Sequence, residues 1–226
     1  MKKKHRSTAA FALTMFAVLL FAAIQARADS ITFDLTATNV PGYGTGPYVG
    51  VTISVPSGGG DATITFTSLT SDGYIYLLGS AQAVDFNTSL PVTISNITYT
   101  GGGSHTAFSL GGSGTVDGFG VFNNTVDAFD GFTNSVTSWS ALLTPTSGSF
   151  ADAASVLALN DKGWDASAHV NIGNPDCQGA CTTGDVAGTY SPPTSTPEPT
   201  SIMLFGTGII PVIGFARRKL KPSRKN

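Results

Sequence analysis

Ile31-Thr32-Phe33-Asp34-Leu35 and Val51-Thr52-Ile53-Ser54-Val55 are the stretches whose reading decides the fold. Each alternates an apolar residue with Thr, Ser or Asp, and a period of two puts all the apolar side chains on one side of a strand. Looser versions follow at residues 62–69, 74–78, 81–86 and 92–99, then at 106–110, 115–123, 135–143 and 166–172. Turn chemistry separates them, as in Pro56-Ser57-Gly58, Asp72-Gly73 and Gly101-Gly102-Gly103. Short strands at this spacing predict an all-β chain, with an antiparallel β-sandwich or jelly-roll-like body. Lys, Glu and Gln are almost missing from residues 29–196, so long solvated helices are not expected. One short helix of about two turns is expected within residues 150–159, which are rich in Ala and Leu. Beyond Gly173 the alternation is lost, and no strand is expected there.

The two ends are made of different material. Lys2, Lys3, Lys4 and Arg6 precede an apolar run over residues 9–24 that closes on Ala26-Arg27-Ala28. This is the pattern of a secretory signal peptide, residues 1–28, with signal peptidase cutting before Asp29; a retained membrane anchor is the alternative. No Cys lies near that junction, which argues against a lipoprotein. At the other end Ser191-Pro192-Pro193-Thr194-Ser195-Thr196 reads as a stiff polar linker, residues 191–196. Pro197, Glu198 and Pro199 follow, then an apolar run over 201–216, then the basic stop Arg217, Arg218 and Lys219 and a basic tail over 222–226. Sixteen helical residues span about 24 Å, slightly short of the roughly 30 Å hydrocarbon core, so a transmembrane helix here needs help from its flanks. By the positive-inside rule the basic cluster stays cytoplasmic, which leaves Glu198 just outside the opposite face. An ordinary C-terminal anchor is the plainer alternative.

The body, residues 29–190, carries almost none of the basic charge. Of the 12 Lys and Arg, only Lys162 lies within residues 29–196, against thirteen Asp, so this part has a net charge of −12 where the whole chain has −2. Such a surface repels nucleic-acid phosphates and anionic lipid, and favours solubility and neutral or cationic partners.

The ordered triad of Pro197-Glu198-Pro199, apolar segment and basic cluster over residues 197–221 resembles the PEP-CTERM family of bacterial sorting signals. The resemblance implies that an exosortase in the membrane removes the tail. The protein would then pass from the inner membrane to the cell surface or extracellular matrix. Gly118-Phe119-Gly120-Val121-Phe122-Asn123, Asp127-Ala128-Phe129-Asp130-Gly131-Phe132, Val156-Leu157 and Ala168-His169-Val170 are similar to bodies of other exported PEP-CTERM proteins. That likeness implies no catalytic activity.

Candidate chemistry in the body is sparse. Cys177 and Cys181 are the only cysteines, and in an oxidising compartment a disulfide is their economical use. No metal site is expected. Asp117, Asp127 and Asp130 leave a weak Ca²⁺ site open, although no EF-hand loop is present and Asp in turns ordinarily bonds its own backbone. His105 lies beside Ser104, but neither Gly102-Gly103-Ser104 nor Gly112-Ser113-Gly114 completes a nucleophile elbow. His169, between Ala168 and Val170, is expected to be a structural histidine. No catalytic residue and no cofactor is therefore assigned. The leading expectation is an exported, non-enzymatic surface or extracellular-matrix protein associated with exopolysaccharide in a biofilm. The alternative is a carbohydrate-binding module stacking sugars on Tyr43, Tyr48, Tyr74, Tyr76, Trp139 or Trp164, and a hydrolase ranks last. Long strands rich in Thr and Val also leave edge-to-edge assembly open.

Overall fold

The computed structural model describes residues 29–101, 109–128, 131–177 and 179–192. Among these the strands are β1 Asp29–Leu35, β2 Ala37–Thr38, β3 Val49–Val55, β4 Ala62–Ser68, β5 Thr70–Ser71, β6 Tyr74–Leu78 and β7 Ser80–Phe86. They continue with β8 Val92–Thr100, β9 Ser109–Val116, β10 Gly120–Ala128, β11 Ser138–Pro145, β12 Ala166–Gly173 and β13 Thr182–Gly188. Two antiparallel sheets pack as a sandwich. The smaller has the order β1-β3-β4-β11-β8, and the larger runs β2-β13-β12-β7-β10-β9 with β6 also on β12 and β5 on β6.

The alternation read in the sequence builds the core directly. Registers across the small sheet align Phe33 with Val51, Val51 with Phe66 and Phe66 with Trp139, giving one apolar row over four strands. Ile31, Ile53, Ile64 and Ala141 form the next row. From the large sheet Leu78, Val84, Phe86, Ala168, Val170 and Val186 meet them in the same buried cluster.

Three expectations fail, each for a physical reason. Residues 115–123 do not make one strand, because Asp117-Gly118-Phe119 turns the chain back and splits them into the β9–β10 hairpin; Gly118 takes φ 81°, open to glycine at no steric cost. Residues 150–159 do not make a two-turn helix. Only a 3-10 turn over Ala153–Ser155 forms, capped by Asp152 Oδ1 accepting from Ser155 N at 2.8 Å. The backbone beyond it is taken by neighbours instead: Val156 O accepts from Ser89 N, and Ala158 N donates to Asn87 O.

The third failure is β13, a strand paired on both sides within the large sheet yet without apolar alternation. Small residues are what let it fit. A Cβ on Gly188 would lie 2.5 Å from Asp34 O, and one on Gly184 would run into the Val40 side chain and sit 2.9 Å from Asn39 Oδ1. Gly188→Ala is expected to cost about 1–3 kcal/mol by overpacking, read as a lower urea midpoint. An unchanged midpoint would refute the close approach.

The edges that invite pairing are blunted. β1 carries Asp29 and Asp34; β8 bulges where its register on β11 shifts, with Asn96 at φ 50°; β9 is glycine-rich, with Gly112 at φ 68° and two shifts against β10.

Candidate functional site

Groups with chemistry gather on the outer face of the large sheet. In β12, Ala166, Ala168, Val170 and Ile172 belong to the core, so strand alternation turns Ser167, His169 and Asn171 outward. β13 lies in register with His169 opposite Asp185, and His169 Nδ1 sits 3.0 Å from Asp185 Oδ1. Asn39 completes that pair, donating from Nδ2 to Asp185 Oδ2 at 3.2 Å and accepting at Oδ1 from Asp185 N at 2.8 Å. On the other side Ser167 faces Asp85 of β7, and Asp85 in turn faces Thr125 of β10.

Asp85 is wholly buried, and neither carboxyl oxygen has a hydrogen-bond partner; the same is true of Ser167 Oγ. Burial, then the nearby charges of Asp185 and Asp127, pushes the Asp85 carboxyl well above the usual carboxylate range. Asp127 is held in place by its Oδ1, which accepts from Gln82 N at 2.7 Å. Glycines allow the edge strand to close over this layer, since a Cβ on Gly114 would come within 2.7 Å of both Gln82 Nε2 and Thr125 Cγ2. Beside it Val116, Phe119, Phe122 and Ala187 form a second small core with Ala37 and Trp164.

Ser167, His169 and Asp185 are the residue types of a hydrolytic triad, but their arrangement is not one. A nucleophile must hydrogen-bond its base and be reachable by a carbonyl carbon. Ser167 Oγ is buried and bonds to nothing, so it makes no bond to His169, whose Nδ1 is held by Asp185.

The other sequence candidates scatter. Trp139 lies between the sheets at 0% exposure, against Phe66 and Phe86, and Tyr48 and Tyr76 are buried with it, so none of the three is a sugar platform. Trp164 stands edge-on to Phe119 at 5.5 Å in the second core. Tyr43 and Tyr74 are half-buried and meet edge to face at 5.9 Å. Asp117 contributes its carbonyl oxygen to Asn39 Nδ2 at 3.3 Å, and Asp130 lies outside the described residues, as does His105. Among the described residues no three His, Cys, Asp or Glu side chains converge as a metal set. Cys177 and Cys181 are disulfide-bonded with Cα atoms 5.3 Å apart, closing the β12–β13 connection, where Asn174 Oδ1 accepts from Asp176 N and Cys177 N.

Sequence reasoning had no signal for one concave feature. A cleft of about 500 Å³ opens between residues 88–92 and the β9–β10 hairpin, lined by Thr88, Ser89, Leu90, Pro91, Asn123 and Asn124 among others, none of them charged. Its amides are fixed in place. Asn123 Nδ2 donates to Thr88 O at 2.9 Å while its Oδ1 accepts from Thr88 N at 2.9 Å, and Asn124 Nδ2 donates to Thr88 Oγ1 at 2.9 Å.

Pro197, Glu198, Pro199, Arg217, Arg218 and Lys219, the apolar run between them and the N-terminal 28 residues lie outside the described residues. Among the described residues no helix is long and apolar enough to cross a membrane. Residues 195–221 match the PEP-CTERM protein-sorting motif, a span that takes in the Pro-Glu-Pro triplet, the apolar run and the basic stop. Comparison with curated proteins and with solved structures gives no match. The chain therefore carries the signal of exported proteins that exosortase processes and that are sorted to the cell surface.

Proposed function

We propose that the mature domain works at the cell surface or in the extracellular matrix as a non-enzymatic component held among exopolysaccharide. The observation that carries this reading is the sorting motif at residues 195–221 on an Asp-rich body of net charge −12. The burial of Ser167 Oγ without a partner and the pairing of His169 with Asp185 support a structural role for the groups that most resemble a catalytic set. Signal peptidase and exosortase are the processing partners, acting before Asp29 and near Glu198. Carbohydrate binding is the second reading, favoured by the uncharged cleft beside β10.

The test is the mass and location of the protein in a host that has the exosortase. Wild type is expected to lose both ends and leave the membrane fraction. Glu198→Ala, or deletion of residues 197–226, is expected to abolish correct maturation: the first should stay in the membrane with its tail, the second should bypass the sorting step. Unchanged mass and location in both variants would refute the sorting reading.

A further inference from the structure

The outer face of the small sheet bears an array of hydroxyls. Registers place Thr32 opposite Thr52, Thr52 opposite Thr65, Thr65 opposite Ser140 and Ser140 opposite Thr98, one row crossing all five strands. Flanking rows run Ser30, Ser54, Thr63, Leu142, Ser95 and Asp34, Gly50, Thr67, Ser138, Thr100. All these residues are exposed or half-exposed. Neighbouring hydroxyls bond one another, Thr32 with Thr52 at 3.1 Å and Thr65 with Ser140 at 2.8 Å.

Of these fifteen positions one is charged, Asp34 at a corner. An ordinary soluble surface is about 25–35% charged residues, and this body is sparse in charge throughout, with thirteen Asp and one Lys in residues 29–196. The face adjoins the cleft: Val92 lines the cleft and begins β8, and Thr93, the next residue, is exposed opposite Thr144.

We propose that the cleft and the hydroxyl face it leads onto form one track for a neutral polysaccharide chain, an inference that rests on the matrix reading above. The cleft supplies a concave start with fixed amides and an apolar wall at Leu90 and Pro91 against which a sugar's C–H face packs. The face supplies paired donors and acceptors at strand spacing, already ordered by their mutual bonds, so little side-chain entropy is lost on contact. A polyanion is disfavoured by the −12 body. The twist of a sandwich sheet, roughly 20–25° per strand, disfavours a planar crystal lattice such as ice.

Affinity electrophoresis of the purified mature protein through gels containing barley β-glucan, galactomannan, dextran or alginate tests the track. Retardation is expected in at least one neutral gel and not in alginate, and it should persist in high salt. Thr52→Val with Thr65→Val and Thr98→Val keeps the β-branched shape and removes three hydroxyls; Asn124→Ala removes an amide from the cleft. Each should weaken retardation at least about tenfold in protein that thermal unfolding shows to be folded at the temperature of the gel. Retardation in no neutral gel overturns the proposal, as does equal retardation in alginate, or inhibition of ice recrystallisation in its place. So does a folded triple variant that binds like wild type; if the triple variant unfolds, Asn124→Ala alone decides. A protein that reaches the matrix in a tail-dependent way yet passes the neutral gels freely overturns the track and leaves the matrix reading standing.

Discussion

Asp85→Asn is expected to make the domain more stable at neutral pH and to remove the steepest part of its loss of stability with rising pH. The wild-type carboxyl is fully buried, unpartnered, and faced by Asp127 from β10 and by Asp185, paired with His169, from β13 and β12. Its pKa in the fold stands well above the unfolded value of 3.8, because burial and then those two carboxylates oppose ionisation. The sign follows. Below 3.8 the group is protonated in both states and adds no dependence on pH. As pH rises from there towards the folded pKa, the unfolded chain releases a proton that the native state keeps, and stability falls by about 1.4 kcal/mol per pH unit.

Asn keeps the size and cannot ionise. Asp165 tilts the wild-type curve the same way, raised by burial against the opposing hydrogen bond from Tyr190 N. The difference between wild-type and Asp85→Asn urea midpoints therefore isolates Asp85. It should be small near pH 3.5 and grow as the pH rises from there towards the folded pKa. Parallel curves would mean that Asp85 ionises freely, and a variant weaker at every pH would mean that the carboxyl has a partner in the fold.

Trp139→Ala is expected to cost about 3–5 kcal/mol, a large part of the roughly 5–15 kcal/mol that holds such a domain. Trp139 joins the two sheets, with ring centroids 6.0 Å from Phe66 in its own sheet and 6.4 Å from Phe86 in the other. Nothing nearby is free to fill the void, because each neighbour is itself fixed by strand register. Its Nε1 is buried without a hydrogen-bond partner. Trp139→Phe should therefore be much milder, since it keeps a ring and removes an orphaned donor whose burial costs about 1–3 kcal/mol. Urea unfolding of both variants measures this. Equal losses would mean that Trp139 Nε1 has a partner, and near-neutral behaviour of Trp139→Ala would place the ring outside the core. Sugar binding by Trp139→Ala should change only as far as the fold does.

The strands of the small sheet were legible because their apolar residues recur every second position and their partners are held in register by the same pattern. β13 was not legible. Gly184 and Gly188 give no apolar alternation, and their value lies in the space they leave for Val40, Asn39 and the β1 backbone. The short helix expected over residues 150–159 has the right composition, yet Asn87 and Ser89, distant in sequence, take its backbone groups. Aromatic residues were legible as a set, but Tyr48, Tyr76 and Trp139 differ from Tyr43 and Tyr74 only in depth, which composition does not encode.

By itself the sequence determined the sorting tail, the acidic body, the all-β class and the Cys177–Cys181 pair, because each rests on charge, period or spacing along the chain. The tertiary structure alone decided that Asp85 is sealed beneath the outer face and that Thr32, Thr52, Thr65, Ser140 and Thr98 stand in one row. Those facts belong to pairings between strands far apart in the chain, and register, which no local pattern records, sets which side chains share a face and which lose contact with water.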